Sequence, residues 1–111
     1  MVERPVVWVG STLQRIRAFP ESARREAGHD LHMVQLGLEP TDGKPMPAVG
    51  AGVIEIRVHA DGEHRLFYLA KFQEAIYVLH AFAKKTQRTR RADIELGRKN
   101  LSEVLRHQRE R

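Results

Sequence analysis

The spacing of apolar residues changes along the first third of the chain, and each change marks a predicted element. An apolar run over residues 5–9 predicts a short buried strand. Ser11 can cap a short helix after it, which should end before Pro20 because a proline restricts the preceding residue to extended conformations. From Pro20 to Leu36 apolar residues recur every three or four positions, which predicts a second helix that Gly37 ends and that folds back on the first as a hairpin. The residues of this helical stripe are Ala23, Ala27, Leu31 and Val34.

The pattern after residue 52 predicts three antiparallel strands in succession. Residues 38–52 hold three of the five prolines, and we expect a loop or a set of turns there. From Val53 to His59 apolar and polar residues alternate, which is typical of a strand with one apolar and one polar face. The pair Asp61-Gly62 favours a tight hairpin to a second strand over residues 64–72. A turn then leads to the apolar run Ala75–Ala83, which predicts a central strand.

A final helix closes the predicted element order. Thr89 can cap this helix, whose apolar side is broadened by Ile94, Leu101 and Leu105. Gly97 weakens it by about 1 kcal/mol relative to Ala, which indicates either close packing or a merely imperfect helix. The predicted fold is therefore a single α+β domain over residues 1–111, with the order β-α-α-β-β-β-α.

Length and composition are those of one ordinary globular domain. The chain has 111 residues, of which 41% are hydrophobic and 30% charged, enough for one modest core. No apolar run approaches the roughly 18 residues of a membrane helix, and the first ten residues lack the apolar core of a signal peptide, so we expect a cytoplasmic protein with no membrane partner. The absence of cysteine excludes disulfides, thiolate chemistry and zinc ribbons.

The formal net charge of +5 lies entirely in the second half of the chain. Residues 1–52 balance six basic against six acidic side chains, whereas residues 53–111 hold thirteen against eight. The densest segment, residues 84–91, carries five cations and no acid. Such a segment either attracts a polyanionic partner or is a solvated basic loop, and charge alone does not decide between these two interpretations.

Cations on the three predicted strands are candidates for one phosphate-binding patch. Arg57 lies on the polar side of its strand, Arg65 begins the next strand, and His80 lies on the third, which leads directly into Lys84 and Lys85. Neighbouring strands are about 5 Å apart, so these side chains can converge. Arg and Lys there could bind a phosphodiester and neutralise the charge that develops on its oxygens during attack.

Proton transfer and the structural alternative involve the same strands. The residues that could move protons are Glu55, His59, His64 and His80. In the alternative interpretation, Glu55, Arg57 and Arg65 form cross-strand ion pairs and His80 is a core histidine. Spacing alone favours this alternative, because exposed charged pairs across strands are common. His80 could also face the helices, if it shares one side of its strand with Ile76, Val78 and Phe82.

The sequence predicts neither a metal site nor a cofactor site. His29 and His32 are three residues apart on the second predicted helix, but no motif ties a third ligand to them, so surface or helix-packing histidines are the expectation. Gly50-Ala51-Gly52 lacks the later glycine and the following helix of a dinucleotide-binding motif.

Several segments, in a fixed order along nearly the whole chain, carry a family pattern. The segments are Phe19-Pro20, 31–37 (LHMVQLG), 52–57 (GVIEIR), 65–68 (RLFY), 76–86 (IYVLHAFAKKT) and 94–98 (IELGR). The combination of Glu-x-Arg, Arg-x-x-Tyr and Leu-His-x-Phe-x-Lys-Lys-Thr resembles the HigB-like branch of the RelE/ParE toxin superfamily, which includes phage-derived toxins of type II toxin–antitoxin modules.

This resemblance implies a fold, an activity and partners. The implied RelE-like fold is a small twisted, mainly antiparallel sheet with helices on one side and an open groove on the other. The implied activity is that of an endoribonuclease, an mRNA interferase that cleaves messenger RNA, commonly on the translating ribosome. Such enzymes work without metal or cofactor, because the 2′-hydroxyl of the RNA attacks the adjacent phosphate. The implied partners are messenger RNA, the ribosome and a cognate antitoxin, which we expect to be a helix-turn-helix protein.

The resemblance also assigns site residues. Arg57 and Arg65 correspond to groove arginines, and Lys84 and Lys85 to the basic pair after the last strand; His80 is a further catalytic candidate. The residues expected to bind RNA around them are Arg88, Arg90 and Arg91. Arg65 and Lys84 are expected to be exposed, so replacing either with Ala should abolish toxicity and preserve the fold.

Two alternatives keep the fold and change the function. One is a ParE-type inhibitor of DNA gyrase, and the other is a non-catalytic relative that binds nucleic acid or a partner. The segment Lys84-Lys85-Thr86 favours the nuclease. For Tyr68 we expect a core position and not a base-stacking role, because aromatic residues in strands usually pack.

Overall fold

A five-stranded sheet forms the centre of the molecule, and helices cover parts of both its faces. The computed structural model describes residues 3–110. The strands are β1 (Val6–Trp8), β2 (Gly43–Pro45), β3 (Val53–His59), β4 (Glu63–Leu69) and β5 (Ile76–Ala83). The helices are α1 (Thr12–Arg17), α2 (Glu21–Gln35) and α3 (Arg91–Arg109). The predicted α+β class and the predicted order of elements are confirmed, with β2 as an additional strand.

The strand order is β1-β5-β4-β3-β2. β3, β4 and β5 form the predicted antiparallel meander, and β1 pairs parallel with β5, placing Val6 opposite Ile76. The turn between β3 and β4 contains Asp61 and Gly62, both with positive φ, which is the conformation that this residue pair favours in hairpins. β4 is therefore the central strand, and β5 lies between it and β1.

The prediction of a loop over residues 38–52 was wrong for Gly43–Pro45. These residues form β2, which pairs antiparallel with β3 at the sheet edge. All three are exposed, and one is a proline, which an edge strand tolerates because one side of its backbone needs no partner. No hydrophobic alternation marks such a strand, since only its pairing with β3 defines it.

The helix boundaries follow proline and glycine as predicted at the first two helices. α1 ends at Arg17, α2 begins directly after Pro20, and Gly37 follows α2 with a φ of 82°. The prediction that Thr89 caps α3 was wrong. The backbone of Arg90 is still extended (φ −63°, ψ 144°) and occupies the N-cap position, so the first turn starts one residue later.

The sheet face toward α1 and α2 carries the first core. The four residues of the α2 stripe are all buried there, as the helical periodicity predicts. Tyr68 lies in this core, and burial raises its pKa to about 12, so the expectation of a packing role is confirmed. The strand residues of the first core are Ile56, Val58, Leu66, Tyr68, Ile76, Val78 and Ala81.

The opposite sheet face carries a second core under α3. Leu101 and Val104 of the helix pack there on a group of strand residues, which are Val53, Phe67, Leu69, Leu79 and Phe82. A Cβ at Gly97 would lie 3.0 Å from Cδ2 of Phe67, so this glycine marks close packing and not an imperfect helix. The resemblance implied helices on one side of the sheet and an open groove on the other, whereas in the structure helices pack on both sides, α1 and α2 on one and α3 on the other.

Candidate functional site

The register of the sheet brings two of the candidate arginines together. Arg57 of β3 lies directly opposite Arg65 of β4, and Arg65 lies opposite Phe82 of β5. Because Ile56, Val58 and Leu66 belong to the first core, strand alternation puts both arginines on the other face, the face of α3. The chain leaves β5 at this same end of the sheet, with Lys84 and Lys85. We call Arg57, Arg65, Lys84 and Lys85 the cationic end.

Burial separates the two arginines. The side chain of Arg57 is 30% exposed, whereas that of Arg65 is only 7% exposed. The expectation that Arg65 is exposed was therefore wrong. The reason is its position on the central strand, which has a neighbouring strand at both edges. Nη1 of Arg65 donates to Oε1 of Glu63 (2.9 Å) and to the main-chain oxygen of His64 (3.0 Å), while its buried Nε has no partner among the described residues.

Each arginine pairs with a carboxylate two residues before it on its own strand. Nε of Arg57 lies 3.3 Å from Oε1 of Glu55, which is 3% exposed, and Arg65 pairs with Glu63. The cross-strand ion pairs of the structural alternative are thus replaced by pairs along each strand, because residues i and i+2 share a face. Across residues 3–110, Glu55 is the only side chain that pairs with the Arg57 guanidinium, so most of its donors stay available to a ligand.

His59 connects three segments at this end of the sheet. Its Nε2 lies 2.6 Å from Oδ2 of Asp42, which precedes β2, and its Nδ1 lies 2.8 Å from Oε2 of Glu63. Hydrogen bonds to Asp42 and then to Glu63 raise the pKa of His59. The same contact with His59, followed by that with Arg65, lowers the pKa of Glu63. His59 is half exposed, which makes it accessible to a ligand.

His80 is a core histidine. His80 is 1% exposed. Its Nε2 lies 2.7 Å from Oδ1 of Asp93 in the first turn of α3, and its ring stacks on that of Phe82 at a centroid distance of 5.2 Å. Burial lowers the pKa of His80, and the hydrogen bond to Asp93 opposes that effect. His80 therefore joins β5 to α3 and does not line an open surface.

A bulge explains why the side of the strand predicted for His80 was wrong. Phe67 lies opposite His80 and Tyr68 opposite Val78, so Leu79 is an extra residue in β5. Ile76 and Val78 consequently face the first core, whereas His80 packs with Phe82 on the face of α3. His80 does face a helix, but on the other side of the sheet from Ile76 and Val78.

His64 lies on the first-core side. It is 4% exposed, its ring centroid is 4.5 Å from that of Phe19, and burial lowers its pKa. Its Nδ1 is buried without a hydrogen-bond partner in the described part of the chain. Because it faces away from Arg57 and Arg65, His64 is not positioned beside them for proton transfer.

The basic segment after β5 is anchored at its start. The main-chain nitrogen of Lys84 donates to the main-chain oxygen of Glu63 (2.8 Å), the residue whose carboxylate holds Arg65. Lys84 is half-buried and Lys85 is exposed. Of the expected RNA-binding residues, Arg88, Arg90 and Arg91 are all exposed, and Arg91 pairs with Glu95.

The structure also adds a residue that sequence reasoning missed. Arg15 of α1 lies in a cleft of about 470 Å³ together with Lys85 and Arg90. No local pattern could have found it, because Arg15 and Lys85 are brought together only by the packing of α1 on β5.

His29 and His32 are both exposed, and between residues 3 and 110 no three His, Asp or Glu side chains cluster as metal ligands would. None of the three described helices is long and apolar enough to cross a membrane.

Comparison with known families identifies the chain. A family model described as phage derived protein Gp49-like (DUF891) matches residues 14–102, which is most of the sequence. The chain belongs to this family. The Gp49-like family is a phage-derived, toxin-like family within the RelE/HigB-like toxin group. The Gp49-like region runs from α1 into α3 and includes every residue of the cationic end. No curated protein matches the chain.

Proposed function

We propose that this Gp49-like protein is the toxin of a type II toxin–antitoxin module, of the HigB type, and that it cleaves messenger RNA on the translating ribosome. The observation that supports this most directly is the register that sets Arg57 opposite Arg65, with Lys84 and Lys85 leaving β5 at the same end. Two strands and the segment after a third thus bring four cations to the same end of the sheet. Family membership supports the toxin role independently.

The proposed reaction needs positioning and charge stabilisation more than a protein nucleophile. The 2′-hydroxyl oxygen of the RNA attacks the adjacent phosphorus and its proton passes to solvent, while the bond to the 5′ oxygen breaks and that oxygen takes up a proton. The products are a 2′,3′-cyclic phosphate and a 5′-hydroxyl. Arg57, Lys84 and Lys85 bind the non-bridging oxygens and stabilise the negative charge that develops on them. Arg65 is only 7% exposed, so it does not bind the phosphate directly. It contributes a fixed positive charge on the strand next to Arg57.

His59 is the best-placed proton-transfer group of this site. It lies on β3 two residues after Arg57, on the same face, and it is half exposed. Its neighbours Asp42 and Glu63 raise its pKa, which favours the protonated imidazole. Both ring nitrogens are bonded to these carboxylates, so the substrate must displace one of them before His59 can protonate the leaving 5′ oxygen. His80, at 1% exposure, is in contrast a positioning residue that holds β5 against α3.

The proposed partner in the cell is an antitoxin, expected to be a helix-turn-helix protein. A segment of it that carries Asp or Glu would complement the cations of residues 84–91 and so block access of RNA to the cationic end. The open reading frame next to the toxin gene is the place to look for this protein.

Replacing Arg57 with Ala tests the proposed reaction. Arg57→Ala leaves the buried Glu55 carboxylate without its partner, so circular dichroism first checks that the variant folds. In folded protein, the loss of a charge that acts in the transition state should lower the rate of mRNA cleavage about a hundredfold or more. Cleavage is measured by mapping 5′ ends of messages on translating ribosomes, together with growth arrest after expression. Arg25→Ala is the matched control, because Arg25 is an exposed arginine on α2 that pairs only with Glu21 among the described residues.

Full toxicity of both Arg57→Ala and Lys84→Ala would contradict the assignment. DNA damage without message cleavage would point instead to inhibition of gyrase. RNA binding with steep salt dependence but no cleavage by the wild-type protein would point to a non-catalytic relative. Arg65 is better replaced with Lys than with Ala, because removing a buried side chain also destabilises the fold.

A further inference from the structure

A cleft opens at the edge of β5, between α1 and α3. β1 pairs with β5 only as far as Trp8 and Val78, so within the described chain the last residues of β5 have no neighbouring strand on that side. The cleft has a volume of about 470 Å³. The lining residues that matter for binding are Arg15, Phe19, His64, Phe82, Lys85 and Arg90. Lys85 belongs both to this cleft and to the cationic end, so the two sites adjoin.

The charge of the cleft favours an anion. Arg15, Lys85 and Arg90 come from three separate segments, and none of them has a salt bridge to any acid in residues 3–110. The one acidic residue of the lining is Asp93, whose carboxylate is already hydrogen-bonded to His80. Three cations around one concave surface can bind a phosphate group from several sides.

The walls of the cleft favour a nucleotide over a bare phosphate. Phe19 and Phe82 are 7% and 8% exposed, so each contributes only the accessible part of a ring to the lining. The ring of His64 packs against that of Phe19 at 4.5 Å. His64 is 4% exposed and its buried Nδ1 has no partner in the described chain, so a small movement of the ring would give a ligand a polar atom to bind. Aromatic side chains next to cations are the usual means of holding an unpaired base and its phosphate.

We propose that this cleft binds one nucleotide of single-stranded RNA next to the linkage that is cleaved. Arg15, Lys85 and Arg90 bind its phosphate, and the base lies over the apolar lining that Phe19, Pro20 and Phe82 form. This inference rests on the proposed function, and it extends the site from the face of the sheet to the edge of β5. It also gives α1 a role in substrate binding, through Arg15.

Replacing Arg15 with Ala tests the cleft separately from catalysis. The probe is a short single-stranded RNA with 2′-O-methyl groups, which binds but cannot be cleaved because its 2′ oxygens are blocked. Its affinity is measured by fluorescence anisotropy at several salt concentrations. We expect Arg15→Ala to weaken binding about tenfold, as for the loss of a charged hydrogen bond, and to reduce the slope of log affinity against log salt by about 0.7. Arg17→Ala is the matched control, since Arg17 is exposed on the same helix and does not line the cleft.

The outcomes separate this inference from the proposed function. Equal RNA affinities for Arg15→Ala, Arg17→Ala and the wild type, in protein whose circular dichroism is unchanged, would overturn the cleft as an RNA site even if the wild type cleaves messages. If Arg15→Ala weakens RNA binding and Arg17→Ala does not, but the wild type never cleaves RNA, the cleft is supported as an RNA site and the endoribonuclease activity is overturned. If Arg15→Ala lowers the affinity for an acidic peptide more than the affinity for RNA, the choice of RNA as the ligand is overturned.

Discussion

Glu63 connects more of the candidate site than any of the cations themselves. Its carboxylate binds both Arg65 and His59, and its main-chain oxygen accepts the hydrogen bond from Lys84. The positions of β4, the end of β3 and the start of the basic segment therefore depend on one residue. The contact depends on pH because it raises the pKa of His59 and lowers that of Glu63. The two side chains are 49% and 43% exposed, so its contribution to stability is small.

At the residue scale, His59 should make stability depend on pH in a defined direction. Hydrogen bonds to Asp42 and Glu63 raise its pKa in the folded protein above its usual value of about 6.5. Protonated His59 therefore stabilises the fold below about pH 6.5, and this contribution is lost as pH rises through the raised folded pKa. We expect the free energy of unfolding of wild type to exceed that of His59→Gln by more at about pH 5.5 than at about pH 8.5. Urea denaturation at the two pH values measures it.

A difference between wild type and His59→Gln that stays constant over this range, or grows toward high pH, would contradict the contacts with Asp42 and Glu63. The buried histidines His64 and His80 have lowered pKa values and act with the opposite sign. Their effect is common to both proteins, so it cancels in the comparison.

At the scale of elements, the long periodic segments were predictable and the short or irregular ones were not. The α2 stripe and the alternation in β3 each repeat often enough to define a face, and the Asp61-Gly62 turn fixes the pairing of Arg57 with Arg65. β2 is too short to show a pattern, and the bulge at Leu79 depends on packing between strands. The burial of Arg65 and the approach of Arg15 to β5 are tertiary effects that no local spacing encodes.

Two glycines in helices should respond in opposite directions to the same substitution. A Cβ at Gly97 of α3 would lie 3.0 Å from Cδ2 of Phe67 and 3.1 Å from Cγ1 of Val49, both in buried residues. Overpacking of about 1–3 kcal/mol should outweigh the gain of about 1 kcal/mol in helix propensity, so Gly97→Ala should lower the free energy of unfolding by about 1 kcal/mol.

Gly28→Ala on α2 is the matched control for Gly97→Ala. Gly28 is exposed, and a Cβ there meets nothing within 4 Å, so this substitution should stabilise the fold by up to about 1 kcal/mol. Both changes are measured by urea denaturation. Stabilisation by Gly97→Ala similar to that by Gly28→Ala would show that α3 is not held tightly against Phe67.

At the scale of the whole molecule, charge pairing divides the cations into two groups. Among the described residues, three arginines pair with a glutamate about one turn away on their own helix, and they are Arg25, Arg91 and Arg106. Among residues 3–110, the basic side chains of the segment 84–90 have no acidic partner. Other cations without an acidic partner in the described chain, such as Arg17, Lys44 and Lys71, lie apart from one another in the sequence, whereas four lie together in residues 84–90. This density of charge should make residues 84–90 dominate the salt dependence of RNA binding.

Two double variants with the same net charge should therefore bind RNA differently. Lys84→Ala with Lys85→Ala should reduce the slope of log affinity against log salt by about 1.4, which corresponds to two lost phosphate contacts on a single strand. Arg25→Ala with Arg106→Ala removes the same charge from exposed pairs and should change the slope little. Equal slopes for the two variants would mean that net charge, and not the segment after β5, governs binding.

The pairing of His80 with Asp93 has a consequence for the segment between them. It holds the last residues of β5 against the start of α3. The hydrogen bond from the main-chain nitrogen of Lys84 to the main-chain oxygen of Glu63 fixes the beginning of the segment. Both ends of the segment 84–90 are therefore held in place in the protein without a ligand. Much of the entropy needed to order this segment is lost when the protein folds and not when a polyanion binds. Inserting a few glycines into the segment would make binding, and not folding, lose that entropy.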